Sequence, residues 1–155
     1  MRKKVVAITA VSLLCMGCYS IKKYQAAVVI LKQLTVLPTN IKDVKVTFDK
    51  IRFTFDLQLT NHTQYDIGFT TGSVIEITRI QLFTQDGVLL ADINTDISAI
   101  ELPAYGRYTI ENIAVVIPTV TMLNELDMIL SYITQNNLQY ELTMKAFGKE
   151  FKMMT

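Results

Sequence analysis

At 155 residues the chain has the length of one domain, and with 50% apolar and 19% charged residues it can bury a core, which excludes extended disorder. Three prolines and six glycines exclude collagen-like or linker-dominated architectures. Charge is uneven: residues 1–42 hold seven Lys/Arg and no acid, residues 43–155 eight basic and fourteen acidic residues. An acidic body excludes nucleic acid as a partner, because neutralising phosphates requires clustered cations.

The N-terminus carries the pattern of an export signal. Arg2-Lys3-Lys4 is a positive start, followed by an apolar stretch of thirteen residues, Val5 to Gly17. That is shorter than the roughly 20 residues of a comfortable bilayer span. The stretch ends Leu14-Cys15-Met16-Gly17-Cys18, which resembles a bacterial lipobox with Cys15 standing where Leu is usual. The resemblance implies a lipoprotein-type signal peptide over residues 1–17 and lipidation of Cys18. The alternative is an uncleaved apolar anchor with Tyr19 and Lys22-Lys23 at the interface. Both readings place the body at the cell envelope, as a membrane-anchored periplasmic or outer-membrane lipoprotein or its anchored equivalent. Cys15 and Cys18 are the two cysteines of the chain, so residues 19–155 hold no disulfide and no thiolate site.

Residues 18–40 read as a connector and 41–155 as the folded domain. Tyr24, Ala27, Val28, Leu31 and Leu34 have helical spacing, although Val28-Val29-Ile30 also suits a strand. Either a short helix or an extended tether packing on the domain is expected, with an amphipathic membrane-lying helix as the lesser alternative. Pro38-Thr39-Asn40 is read as its end.

From Ile51 to Asn61 alternation is strict: Ile51, Phe53, Phe55, Leu57 and Leu59 on one parity, Arg52, Thr54, Asp56, Gln58 and Thr60 on the other. Period two with aromatic and β-branched residues predicts a half-buried strand. Val44, Val46 and Phe48 alternate in the opposite phase, so a tight turn or a bulge lies at Asp49-Lys50, the turn being preferred. Ser73 to Thr84 predicts a strand with a bulge near Thr78-Arg79, since Ile75 and Ile77 differ in parity from Ile80 and Leu82. Gln85-Asp86-Gly87 predicts a hairpin into Val88–Ile93, because Gly accepts a positive φ. After Leu102-Pro103, Tyr108 to Ile117 is a further strand, closed by Pro118.

Thr119 to Gln135 changes period: Met122, Leu126, Ile129, Leu130 and Ile133 fall on one helical face. Thr121 is the expected N-cap, and Asn136-Asn137 the left-handed stop. Leu138, Tyr140, Leu142 and Met144 alternate again, and Phe147 to Glu150 turns into a last strand through Phe151 and Met153. Some seven strands with frequent turns predict an all-β, immunoglobulin- or fibronectin-III-like sandwich with one helix before the penultimate strand.

The strand ending Leu59-Thr60-Asn61, the break Leu102-Pro103-Ala104-Tyr105-Gly106, the run Val115-Val116-Ile117-Pro118 and the closing Tyr140-Glu141-Leu142 with Gly148 resemble the late-embryogenesis-abundant group 2 family, the WHy (water-stress and hypersensitive-response) domain. The resemblance spans about Ile41 to Phe151; His62 stands where that family usually has Pro. It implies a sandwich fold, an association with desiccation and stress tolerance, and no catalytic residues.

Little else suggests chemistry. His62 is the single histidine and reads as an ordinary loop residue, so a His/Cys zinc site cannot be assembled. Asn61-His62-Thr63 also matches a glycosylation sequon, which has meaning only in eukaryotic secretion. Asp92, Asp96 and Glu101, with Asn94 between, could offer oxygen ligands from a loop, but they lack the EF-hand glycine and closing glutamate. Glu125 and Asp127 are two apart on a helix and read as solvent-face charges. No Gly-x-Ser-x-Gly elbow and no phosphate loop occur. The chain is therefore expected not to be an enzyme, with no catalytic, metal or cofactor site. Its expected partners are the membrane, through the N-terminal lipid or anchor, and a protein met by surface contact. Two alternatives stand beside this: an assembly subunit pairing exposed strand edges, and a carrier holding an apolar ligand between its sheets.

Overall fold

The computed structural model describes residues 22, 24–66, 75–119, 125–146 and 148–155. A helix, α1, covers residues 24–33. It leads into β1 (Leu34–Val46), β2 (Lys50–Asn61), β3 (Ile75–Phe83), β4 (Leu89–Ile97) and β5 (Arg107–Pro118). Helix α2 (Leu126–Thr134) then precedes β6 (Gln139–Ala146) and β7 (Lys149–Met154).

The strands form two antiparallel sheets, ordered β1-β2-β5 and β4-β3-β6-β7. This is a β-sandwich in which the fourth strand joins the sheet of β3, β6 and β7 rather than that of β1, β2 and β5. In a constant-type immunoglobulin domain, which also divides its seven strands four and three, the fourth strand instead joins the sheet of the first, second and fifth. Helix α2 occupies the crossover from the first sheet to the second.

The alternation of β2 places Ile51, Phe53, Phe55, Leu57 and Leu59 inside, all at most 2% exposed. Each such side chain contributes roughly 1.5–3 kcal/mol of transfer free energy. From the second sheet they meet Ile75, Ile77, Ile80, Leu82, Tyr140 and Leu142. Phe55 and Tyr140 touch ring to ring at 5.2 Å between centroids. The bulge expected near Thr78 is there: both pairings of β3 shift between Ile77 and Arg79. It lets isoleucines of both parities reach the core. The β3–β4 hairpin turns at Gly87 with φ 81°, as the Asp-Gly pair requires.

The segment around Pro38 differs from expectation. Pro38-Thr39-Asn40 does not end an element: β1 starts at Leu34, so residues 24–40 of the stretch read as a connector carry α1 and the first half of β1. Pro38 is tolerated because β1 is an edge strand, where a missing N–H breaks no ladder on its free side. The Pro38 carbonyl there accepts the Asn136 side-chain amide at 3.1 Å.

A tight turn joins β1 to β2, with the Thr47 N–H on the Lys50 carbonyl at 2.9 Å. The apolar residues before it are not core: Val44 and Val46 are exposed, and Phe48 is 93% exposed.

Helix α2 is shorter than its periodic run. Glu125 holds the N-cap position without a side-chain cap bond, and Thr121 and Met122 lie outside the described residues. Thr119, at the start of the periodic run, belongs to the hairpin end instead, its hydroxyl donating to the Phe48 carbonyl at 2.7 Å. The C-terminal stop is as expected: Asn136 has φ 52°, the Asn137 N–H reaches the Tyr132 carbonyl and the Asn136 N–H that of Ile133, which is a Schellman closure.

Candidate functional site

The lipidation candidate Cys18, with the whole signal-like segment, lies outside the described residues. Among the described residues no helix is long and apolar enough to cross a membrane, and no group of three or more His, Cys, Asp and Glu side chains comes together to hold a metal.

Of the acidic residues read as a loop cluster, only Glu101 lies in a loop, after β4. Asp92 and Asp96 lie on strand β4, not in a loop. Asp92 is engaged by Arg79 of β3, whose Nε donates at 2.7 Å and whose Nη2 donates to the second oxygen; Gln81 adds a weaker bond at 3.3 Å. The Arg79 guanidinium holds the Asp92 carboxyl below the usual carboxylate value. His62 is in the loop after β2, and its Nε2 lies 2.8 Å from the Thr35 hydroxyl of β1.

The densest polar construction surrounds Asn61, at the end of β2 where β1 begins, since Leu34 pairs with Asn61. Its side chain is 1% exposed with all capacity used. The amide donates to the Tyr65 carbonyl at 2.7 Å and the Pro103 carbonyl at 3.0 Å. The side-chain oxygen accepts the Thr63 N–H at 2.9 Å and hydroxyl at 2.8 Å. The Asn61 N–H reaches the Gly106 carbonyl, and the Tyr105 N–H the Thr63 carbonyl. One side chain thus locks the loop after β2 to the loop before β5. In this folded state the Asn61 amide is buried with both N–H groups committed, which leaves no room on it for a glycan. Gly106 is obligatory here, because a Cβ on it would lie 2.2 Å from Pro103 Cγ.

This locking sets two tyrosines at the surface. Tyr65 is 41% exposed, and Tyr105, held at φ 53°, is 71% exposed. A bulky residue at positive φ is strained, and strain of this kind persists only where its surroundings over-determine it. Here the Asn61 network does so.

Alongside Tyr65 lies α1. Its inward face, Ala27, Ile30 and Leu31, is buried in the core. The helix is therefore docked on the domain and is not a free amphipathic helix. Leu31 and Lys32 line a small cleft together with Phe151, Lys152 and Met153 of β7. Lys149 donates to the Tyr24 hydroxyl at 2.8 Å and stands 5.1 Å from its ring centroid. The other face of α1 leaves an open groove of about 630 Å³, lined by Lys22, Tyr24, Gln25, Val28, Val29 and Tyr65.

A second polar centre was hidden in the alternation of β2. Asp56, on its polar parity, is only 7% exposed. It accepts the Asn112 N–H of β5 at 2.8 Å and the Asn40 side-chain amide of β1 at 2.7 Å, with Lys42 Nζ at 3.7 Å. Asn40 and Asn112 both have positive φ, and the ladders shift beside each of them. These bonds, the Asn112 N–H first, hold the Asp56 carboxyl below its ordinary value. Asp56, Tyr65 and Tyr105 had no distinguishing sequence signal as site residues. The asparagines flanking Asp56 carried one, since Asn tolerates the left-handed conformation a bulge needs.

No family model matches the chain, and no curated protein does. Among solved structures, a crystal structure of a protein from Archaeoglobus fulgidus is similar over 78% of this chain and 92% of that one, at 10% identity and a TM-score of 0.35.

Proposed function

We propose that the protein is a membrane-tethered, non-catalytic β-sandwich of the cell envelope, anchored through Cys18 or an apolar segment and acting by surface contact. Its resemblance to the WHy domain suggests a stress-protective or partner-binding role. The observation that carries this reading is the docking of α1. With Ala27, Ile30 and Leu31 buried, the later part of the connector belongs to the folded body, so a tether would leave it from a fixed point on the sandwich. The committed state of the polar side chains agrees with a binding rather than a chemical role. Asn61, Asp56 and Asp92 are each occupied in joining strands or loops.

Two experiments test it. Radiolabelled palmitate should enter the wild-type chain, and Cys18→Ser should abolish the label and leave precursor or released protein; label persisting in Cys18→Ser refutes lipidation at this position. A hydrolase screen with His62→Ala as control should find no turnover, and activity lost in that variant would establish catalysis. The alternative of an assembly subunit draws on β5, a twelve-residue strand paired only with β2 among the described strands. Concentration-dependent growth in size-exclusion mass would favour it.

A further inference from the structure

The two ends of the sandwich differ. One is the β1–β2 turn bearing Phe48. The other gathers the start of α1, the Asn61 loops, Tyr65, Tyr105 and the groove. Strand β1 runs from this second end, at Leu34, to the turn after Val46, roughly 40 Å away at ordinary strand rise.

We infer that the end bearing Tyr65 and Tyr105 is a bilayer-contact surface, with both rings seated among lipid headgroups and the groove beside α1 facing the acyl boundary. The inference rests on the tethered reading above and adds the orientation. Its first support is reach. Cys18 precedes Tyr24 by six residues, which span at most about 20 Å fully extended. Because α1 is docked, that limit holds the end of the domain that carries the start of the helix near the anchor.

The second support is chemistry. Exposed Tyr rings, apolar in body and polar at the tip, suit the headgroup layer. Val28 and Val29 give the groove an apolar wall, with Lys22 also lining it and Lys149 beside Tyr24. Those cations complement anionic lipid. The third is rigidity: Tyr105 is held in a strained conformation by a buried network, so its ring is presented rather than left to fold back. The Phe48 end, by the same geometry, points away from the membrane.

The chain has no tryptophan, so single Trp reporters are unambiguous. Full-length Tyr65→Trp, Tyr105→Trp and Phe48→Trp chains, carrying their own N-terminal segment, are reconstituted on vesicles of equal parts phosphatidylcholine and phosphatidylglycerol, with and without brominated acyl chains. Flotation reports attachment and quenching reports depth. Attached protein with several-fold stronger quenching and a blue shift at positions 65 and 105 relative to 48 supports the inference. Gln25→Trp, exposed at the groove, repeats the measurement should a loop substitution disturb folding. Attached protein with equal quenching at all positions, or strongest at 48, overturns the orientation while the tether stands. Protein that fails to float overturns the tether, and the inference with it.

Discussion

Asn61→Ala tests whether one side chain holds the tyrosine-bearing end together. The substitution removes four hydrogen bonds, to Thr63 twice, Tyr65 and Pro103, at a site 1% exposed. Each bond contributes about 0.5–1.5 kcal/mol net, and a buried group left orphaned costs its desolvation in full. Loop relaxation returns part of this, so the expected loss is about 2–4 kcal/mol by urea denaturation. Asn61→Asp sharpens the test, because it keeps the acceptor while setting a carboxylate against the two carbonyls the amide served. Folding would then favour the protonated acid and raise its pKa above the unfolded value. The penalty should be greatest at neutral pH and shrink as pH falls through that raised pKa, opposite in sign to an ordinary paired carboxylate. A loss below roughly 0.5 kcal/mol in Asn61→Ala, the range of an unremarkable surface change, would refute the locking role.

The remaining predictions concern the core and the bulges. Phe55→Ala, removing a fully buried ring that meets Tyr140, should cost about 3–5 kcal/mol, whereas Thr54→Ala, whose bonds of 3.5 Å are weak, should stay within roughly 0.5 kcal/mol; equal losses would contradict the facing assigned to β2. The Tyr140 hydroxyl is buried without a hydrogen-bond partner among the described residues, and burial raises its pKa. Tyr140→Phe should therefore stabilise the fold by about 1–2 kcal/mol in chemical denaturation, and a clear destabilisation would mean the hydroxyl is satisfied. Because its folded pKa is depressed, Asp56 stabilises above its ordinary pKa of about 3.8, and that contribution disappears as pH falls through the lower folded value. Asp56→Asn should accordingly lower the thermal midpoint at neutral pH, with the gap from wild type closing only below that range; parallel curves would show that the charge has no role.

Much of the fold was legible because burial writes its period into the chain. The parity of β2, the slip in β3, the Asp-Gly turn and the left-handed stop after α2 each follow from one local rule, and each is present. What was illegible depends on partners distant in sequence. The Asn61 network joins residues 42 apart, and the Asp56 bond to Asn112 joins residues 56 apart. In isolation Asp56 is a polar residue on the polar parity, indistinguishable from Gln58. Pro38 misled for a related reason: whether proline ends an element or sits within an edge strand is decided by the neighbour it lacks.

The exposed Val44 and Val46 follow from the same pair of bulges. Alternation assigns a residue to a face of its strand, but that face is buried only while the strand lies over the opposite sheet. Register shifts on β1 fall between Thr39 and Lys42 and again between Lys42 and Lys45, and the β2–β5 shift falls beside Asp56. Each bulge bends its strand and adds right-handed twist. Asp56 fastens Asn40 on one side and Asn112 on the other, so two bends are coordinated across three strands. Beyond them β2 keeps Ile51 and Phe53 buried, while the edge strand β1, still paired with β2 at Lys45 and Val46, carries Val44, Val46 and, in the turn after it, Phe48 in solvent. One half-hidden carboxylate thereby ties together the bends of three strands toward the Phe48 end, as Asn61 ties together two loops at the other.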